Sequence, residues 1–447
     1  MRIPSLLLSC CVLLWVSAAC KGEGGEDTNP PGDTQPPPDD KPPVGNTFTL
    51  SGKVVDSTTH PIANVQVLVL GKQPVKTDAA GAFSIPDVTS PYDIIAVGAD
   101  KEDVTLFKGL TLRTPTLFVS TAAVVSPRLA TLEGKVSGGQ TPYTSKNTPA
   151  LTFIATEVSS DVSPGSLSTG AFSKDVSWTG AASITGTLHA LQAVKEGATA
   201  LPTSFTGYGR RDNITLTEGA KLSGQDVAMS SVTNSTLKGT ITVPSGFTLF
   251  SASVSLQLSS SSVLSLYNVF TPSTSFTYPV PVIGQSTYSV QAFAATEGFG
   301  RTSARVLTAL AAGSSSTQLT LQEPPQLTQP ADKAADVTRS TTLSWTAFTG
   351  GVHTVTLERA PLSPGEISAP YLTIITRDTS TTIPDLSSVG INLPANTSMS
   401  WRVTGLAPIA SVDALLGRRP DEDPLSGASD TSLGSSEQRD FTTASAP

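Results

Sequence analysis

Cysteine is nearly absent from this 447-residue chain, and its three cysteines all fall within the first twenty positions. Beyond Cys20 no disulfide can form and no cysteine cluster can hold zinc, so the folded part must cohere by core burial alone. Histidine is as scarce: His60, His189 and His353 stand far apart in the chain. There is no His-Glu-x-x-His, no glycine loop cradling a phosphate ahead of a helix, and no Gly-x-Ser-x-Gly elbow, even in the serine-rich "SSSSVLSLYNVF". Basic residues number 28 against 36 acidic, a net charge of −8, without the clustered Lys and Arg that nucleic acid requires. Long helix-periodic segments are missing too. The apolar run Leu6 to Val16 has eleven residues, well short of the roughly 20 that span a bilayer.

That run, preceded by Arg2, fits the core of a secretory signal. It is followed by Ser17-Ala18-Ala19-Cys20, which resembles the lipobox of bacterial lipoproteins, although leucine is commonest at the position of Ser17. The resemblance implies cleavage before Cys20 and a lipid on that residue; ordinary signal cleavage after Ala19 is the alternative. Lys21, where an aspartate would retain such a protein in the inner membrane, implies routing to the outer membrane, with the array facing the cell exterior or the periplasm. Residues 21–46 hold seven prolines, six acidic residues and two lysines, with Val44 the one apolar side chain. Such a stretch cannot bury enough surface to offset its ordering entropy. At about 3.1 Å per residue in polyproline II, it is a tether reaching roughly 80 Å.

Beyond the tether, Ser, Thr, Gly and Val dominate and turn signals recur about every ten residues, which points to an all-β chain of tandem sandwiches. The expected units are 1–19 signal, 20–46 lipidated cysteine and linker, 47–126, 127–229, 230–322 and 323–447. In the first, strand "LSGKVV" leads through Pro61 into "IANVQVLVLG", then Thr77-Asp78-Ala-Ala-Gly81 turns into Phe83 and Ile85. Gly81 suits a positive φ in a hairpin. Gly52, Val54 and Asp56 with Thr77, Asp78, Gly81 and Phe83 make this stretch resemble the carboxypeptidase regulatory-like domain, a transthyretin-like sandwich. The likeness fades after Val88, where "SPYDIIAVGADKEDV" stands. By this resemblance Asp56 and Asp78 are turn-making side chains and hold no metal.

The opening strand returns twice, as Leu132-Glu-Gly134-Lys-Val136 and Leu237-Lys-Gly239-Thr-Ile241. "GTLHALQAV" matches "YSVQAFAAT", "YGRRDNITL" matches "FGRTSARVL", and both units close on a polar β-stretch. These are two tandem repeats, A (127–229) and B (230–322), each long enough to bury a core, and one plan used in series makes a stalk or an array. Within repeat A, His189 reads as a hydrogen-bonded structural histidine. Trp178 and Tyr208, the latter beside Arg210 and Arg211, are candidates for a sugar-stacking platform, with core and rim packing as the alternative.

The last unit carries "LSW" (343–345), "TTIPDL" (381–386), "SWRV" (400–403) and "DFTT" (440–443). It resembles a fibronectin type III domain, with Trp401 in place of the usual tyrosine. About thirty residues over 406–436 replace a short hairpin loop, and long loops on a rigid sandwich often bind. There Arg418 and Arg419 adjoin Asp421-Glu422-Asp423 in a charged knuckle that is either a binding element or a solvated insertion; it does not match a calcium loop. No catalytic residue, cofactor or metal is expected. Three functions fit: a non-catalytic lipoprotein held by its lipid to the membrane for binding or support, a carbohydrate-binding envelope protein, or a scaffold joining an envelope complex.

Overall fold

The computed structural model describes residues 47–446 apart from 57–58, 99–100, 102, 120–126, 156–157, 163–168, 198–199, 260–261, 360–369, 419–423 and 426–428. The signal, Cys20 and the tether therefore lie outside the described residues. What is described is β-structure in tandem sandwiches, with one five-residue α-helix, Val412–Leu416.

Three successive units follow one seven-strand plan. In each, the fourth, first and seventh strands form a three-stranded sheet, and the third, second, fifth and sixth form a four-stranded sheet facing it. In the first unit the former are Ala82–Thr89, Thr47–Val55 and Thr116–Phe118; the latter are Val75–Lys76, Gln66–Val69, Tyr92–Val97 and Val104–Leu110. Repeat A uses Ala171–Trp178, Arg128–Gly138 and the short pieces Lys221–Leu222 and Val227–Met229 against Val158–Val162, Pro149–Ala155, Ser183–Lys195 and Pro202–Thr217. Repeat B uses Ser275–Val282, Thr233–Thr242 and Thr317–Thr320 against Ser262–Phe270, Thr248–Ser259, Thr287–Ala295 and Thr302–Leu310. In all three the first strand runs antiparallel to the fourth and parallel to the seventh. The plan thus occurs three times, where the sequence reading had paired only the last two units.

The recurring Leu-x-Gly-x-Val/Ile has a steric cause. The apolar residues on either side of the glycine (Leu50 and Val54, Leu132 and Val136, Leu237 and Ile241) are all buried. Between them Gly52, Gly134 and Gly239 sit directly across from Phe83, Phe172 and Phe276 on the fourth strand. A Cβ on Gly52 would lie 2.5 Å from the Phe83 ring and 2.6 Å from the Pro115 carbonyl oxygen; on Gly239 it would lie 2.8 Å from the Phe276 ring and 2.1 Å from the Thr317 oxygen. The glycine is a slot for the opposing ring. The first two phenylalanines are themselves set by left-handed glycines two residues earlier, Gly81 (φ +70°) and Gly170 (φ +69°). At Gly81 the Asp78 side chain accepts from the amides of Ala80 and Ala82 at 2.8 and 2.9 Å, the turn-making role expected of it.

The C-terminal sandwich is built differently. Leu327–Gln329, Leu343–Trp345 and Ser380–Thr381 form one sheet. Pro370–Thr376, Val352–Arg359, Ser398–Ala407 and the split pair Thr431–Ser435 and Arg439–Thr443 form the other. Trp345, Trp401 and Phe441 fill its core.

A stalk of sandwiches in series is not what these units make. The four-stranded sheets of the first unit, the C-terminal unit and repeat B merge into one 14-stranded sheet. At one joint Thr373 to Ile375 pairs in parallel with Thr105 to Phe107. At the other, Thr431–Ser435 pairs on one side with Thr302–Leu310 and on the other with Ser398–Ala407. The C-terminal sandwich is the middle of the molecule because its sheet has an open edge on each side, and each edge takes a neighbour's strand.

The first joint also shares cores. Leu68, Ile95, Val97, Val104 and Leu106 of the first unit belong to the C-terminal core, while Val352, Ile375, Ile409, Val412 and Leu416 belong to the core of the first unit. Ile94 to Val97 and Val104 to Phe107 are buried on both faces, so these segments lack the usual apolar–polar alternation. This explains why "YDIIAV" departs from the resemblance seen before Val88: that sheet has no solvent face there.

Candidate binding cleft between the repeats

Repeats A and B meet end to end. Leu191 and Phe205 of repeat A enter the core of repeat B, and the Asn234 side chain accepts from the Phe205 amide at 2.6 Å and donates to its carbonyl at 2.9 Å. Beside this joint opens a cleft of about 600 Å³, lined from repeat A by Tyr208, Gly209, Arg210, Ala228 and Ser230 and from repeat B by Leu258 and the turn Ile283 to Ser286. Tyr208 and Arg210, singled out in the sequence, both face it. The repeat B turn carried no comparable signal, since Ser286 and Gln285 resemble any other turn residues until the fold brings them opposite Tyr208.

The walls of this cleft are donors rather than reacting groups. The Arg210 guanidinium is 60% exposed and lies 3.2 Å from the Asp212 carboxylate. The Tyr208 hydroxyl is 3.0 Å from Nδ1 of His189, and the two rings stack with centroids 6.1 Å apart. Burial, and then the nearby Arg210 charge, lowers His189 to about 4, so it is neutral at physiological pH; burial raises Tyr208. Here His189 is structural, bonded and stacked, as its strand context indicated. The neutral imidazole fixes the tyrosine hydroxyl, leaving hydroxyls, one amide and one guanidinium to meet a ligand.

Trp178 does not join them. It is 2% exposed, on the inward face shared with Phe172 and Val176, and its indole N–H donates to the Ala181 carbonyl at 2.8 Å. Ala181 precedes the strand Ser183–Lys195, and Tyr208 pairs with Leu191 eight residues along it, about 26 Å away at 3.3 Å per residue. A stacking platform of Trp178 and Tyr208 is therefore not formed.

The long C-terminal insertion is likewise not a free loop. After Ser398–Ala407 its helix Val412–Leu416 docks on the first unit, where the buried Asp413 carboxylate accepts from the amide of Thr111 at 3.0 Å and from its hydroxyl. Its end is the strand Thr431–Ser435 of the second joint. Arg418 reaches the Pro408 carbonyl at 3.4 Å, and Arg419 lies outside the described residues.

Elsewhere the chemistry is sparse. His353 is 1% exposed and its Nε2 accepts from the Phe348 amide at 2.9 Å. Among the described residues no three His, Cys, Asp or Glu side chains gather so as to hold a metal. A smaller crevice of about 300 Å³ lies where Lys76 and Lys101 of the first unit meet Ser388 to Gly390.

No protein-family model matches the chain, and no curated protein does. Among solved structures it is similar to the TIE protein of Bacillus anthracis, at 12% identity over 62% of this chain and a TM-score of 0.15. The chain spans only 50% of the length of that protein. A DUF3823 family protein from Bacteroides uniformis is 10% identical over 47% of this chain and 100% of its own, with a TM-score of 0.18. Two B repeat units of the collagen binding protein of Staphylococcus aureus are 10% identical over 80% of this chain and 92% of theirs, with a TM-score of 0.12. Likeness at this level assigns neither a family nor an activity.

Proposed function

We propose that this is a non-catalytic lipoprotein of the bacterial envelope, anchored through Cys20 to the outer membrane and carrying a rigid block of sandwiches for binding or support. The observation that carries the support half of this reading is the 14-stranded sheet: three of the four sandwiches are joined by backbone pairing, which suits a stiff scaffold. Its three histidines support the same view, since each is engaged locally and burial lowers the pKa of His189 and His353.

On this reading the first unit is carboxypeptidase regulatory-like, supported by its strand order and its Asp78–Gly81 turn, and the C-terminal unit is fibronectin III-like, supported by its three-on-four sheets and buried tryptophans. Lys21 directs the protein to the outer membrane, and the array faces the exterior. The cleft with Tyr208 and Arg210 favours a second reading alongside the first, recognition of an envelope polysaccharide or protein. Cys20→Ala should move the protein from the membrane to the soluble fraction and abolish incorporation of a palmitate analogue; unchanged fractionation would defeat the lipoprotein reading.

A further inference from the structure

One face of repeat B sets aromatic rings among uncharged polar side chains. The side of its four-stranded sheet turned away from the core is laid out in cross-strand rows. Phe270, Ser251 and Phe293 form one row, and Asn268, Ser253 and Gln291 the next. Further along, Ser265 stands opposite Ser255. These positions alternate with the buried Ala252, Val254 and Leu256, which face inward. None of the residues in these rows is charged.

Aromatic rings gather at one end of this face. Phe270 is 73% exposed. Phe250, Phe293 and Phe299 are half-buried, with Phe299 centred 4.6 Å from Phe250 and 6.3 Å from Phe293. Phe299 holds φ at +59°, a left-handed conformation that is strained for a bulky side chain and persists only where the surroundings impose it. The turn thus holds backbone strain that brings a fourth ring, Phe299, to this end of the face. No aromatic residue stands in the equivalent turn of repeat A, "KEGATALP", or of the first unit, "VGADKEDV". Leu425 of the C-terminal insertion packs beside Phe293, Ala304 and Val306 and walls one side. Phe270 and Phe293 stand two strands apart, about 10 Å by strand spacing.

The geometry points to a binding face for a neutral polysaccharide chain. The C–H faces of a pyranose pack on aromatic rings, its hydroxyls pair with amide and hydroxyl side chains, and an uncharged carpet imposes no charge on the ligand. A protein partner or a second copy would be met by a larger apolar patch than one largely exposed phenylalanine and three half-covered ones. This inference rests on the binding half of the proposed function and not on lipidation, so lipid-free Cys20→Ala protein that still binds separates the two.

The test is electrophoresis of the full chain in native gels containing a neutral β-glucan, mannan, galactan or xylan, with polygalacturonate as the charged comparison. At least one neutral polymer should retard the protein, and Phe270→Ala should weaken that binding about five- to tenfold. Phe270 is so exposed that its loss should leave the melting temperature unchanged, and Gln291→Ala gives a second variant on the same face. Failure of every neutral polymer to retard the protein overturns the proposal, as does retardation untouched by Phe270→Ala. Retardation by polygalacturonate alone, lost with Arg210→Ala, assigns binding to the cleft between the repeats and also overturns it.

Discussion

Repeat A meets repeat B end to end, through side chains, whereas the C-terminal sandwich meets its two neighbours edge to edge, through backbone. At the first kind of joint, Leu191 and Phe205 plug a core and Asn234 pins one peptide group; the contact depends on particular side chains. At the second kind, Thr431–Ser435 exchanges hydrogen bonds with strands on both sides, and almost any sequence free of proline could do so. Chemical specificity thus concentrates where the joint is made by side chains, and the cleft with Tyr208 and Arg210 lies there. Stiffness comes from the sheet.

The comparison breaks most sharply at the shared strand. Leu433 pairs with Ala304 and Leu406, and Leu433→Pro removes a ladder amide and clashes within a central strand. A cost of about 3 kcal/mol or more is expected, together with the splitting of one thermal transition into two. A single unshifted transition would show that the edge joint does not couple the units. Asp413→Ala strands the Thr111 amide and hydroxyl in a buried site; about 2–3 kcal/mol of stability should be lost in denaturant titration, along with protection of the helix Val412–Leu416 from hydrogen exchange.

Acid should act next. His189 has its folded value lowered to about 4 against an ordinary 6.5. Between those values the unfolded chain takes up a proton that the folded chain refuses, so stability falls as pH drops through that window. The loss from this one group is about 2 kcal/mol at pH 5, and His189→Gln should flatten that share of the pH profile of unfolding. His353 shifts the same way through burial, so some acid sensitivity should survive in the variant. The smallest effect is expected from Asn234→Ala, about 1 kcal/mol. It should loosen repeat A from repeat B, seen as faster hydrogen exchange at Phe205, and leave the edge joints intact.

What the sequence disclosed tracks what side chains had to do. The all-β class, the glycine strands and the kinship of repeats A and B were legible because each demands a residue type: the ring of Phe276 leaves no room for a Cβ on Gly239. The third copy of the plan was equally present, in Gly81-Ala-Phe83 and Gly170-Ala-Phe172, and comparison of those two turns would have found it. The 14-stranded sheet was not legible, because backbone pairing leaves no residue signature. Its one trace was the run Ile94 to Val97 in "YDIIAV", where burial on both faces erased the usual alternation. Of the candidate residues, Tyr208 and Arg210 share a cleft, while Trp178 shows the inward alternation of its strand, with Phe172 and Val176 on the same face. The insertion over 406–436 looked like a loop because its job, docking a helix on one neighbour and a strand on another, involves partners hundreds of residues away.

The shared strand Thr431–Ser435 also bears on how the chain is made. Synthesis proceeds from the amino end, so repeat B emerges long before the strand that closes it to the C-terminal sandwich. Until it arrives, Thr302–Leu310 and Ser398–Ala407 each present an unpaired row of amides and carbonyls, the template on which chains stick to one another. A nascent chain halted ahead of Thr431 therefore carries two adhesive borders that the completed one conceals, and chaperones and proteases have a ready mark by which to tell the finished molecule from the interrupted one.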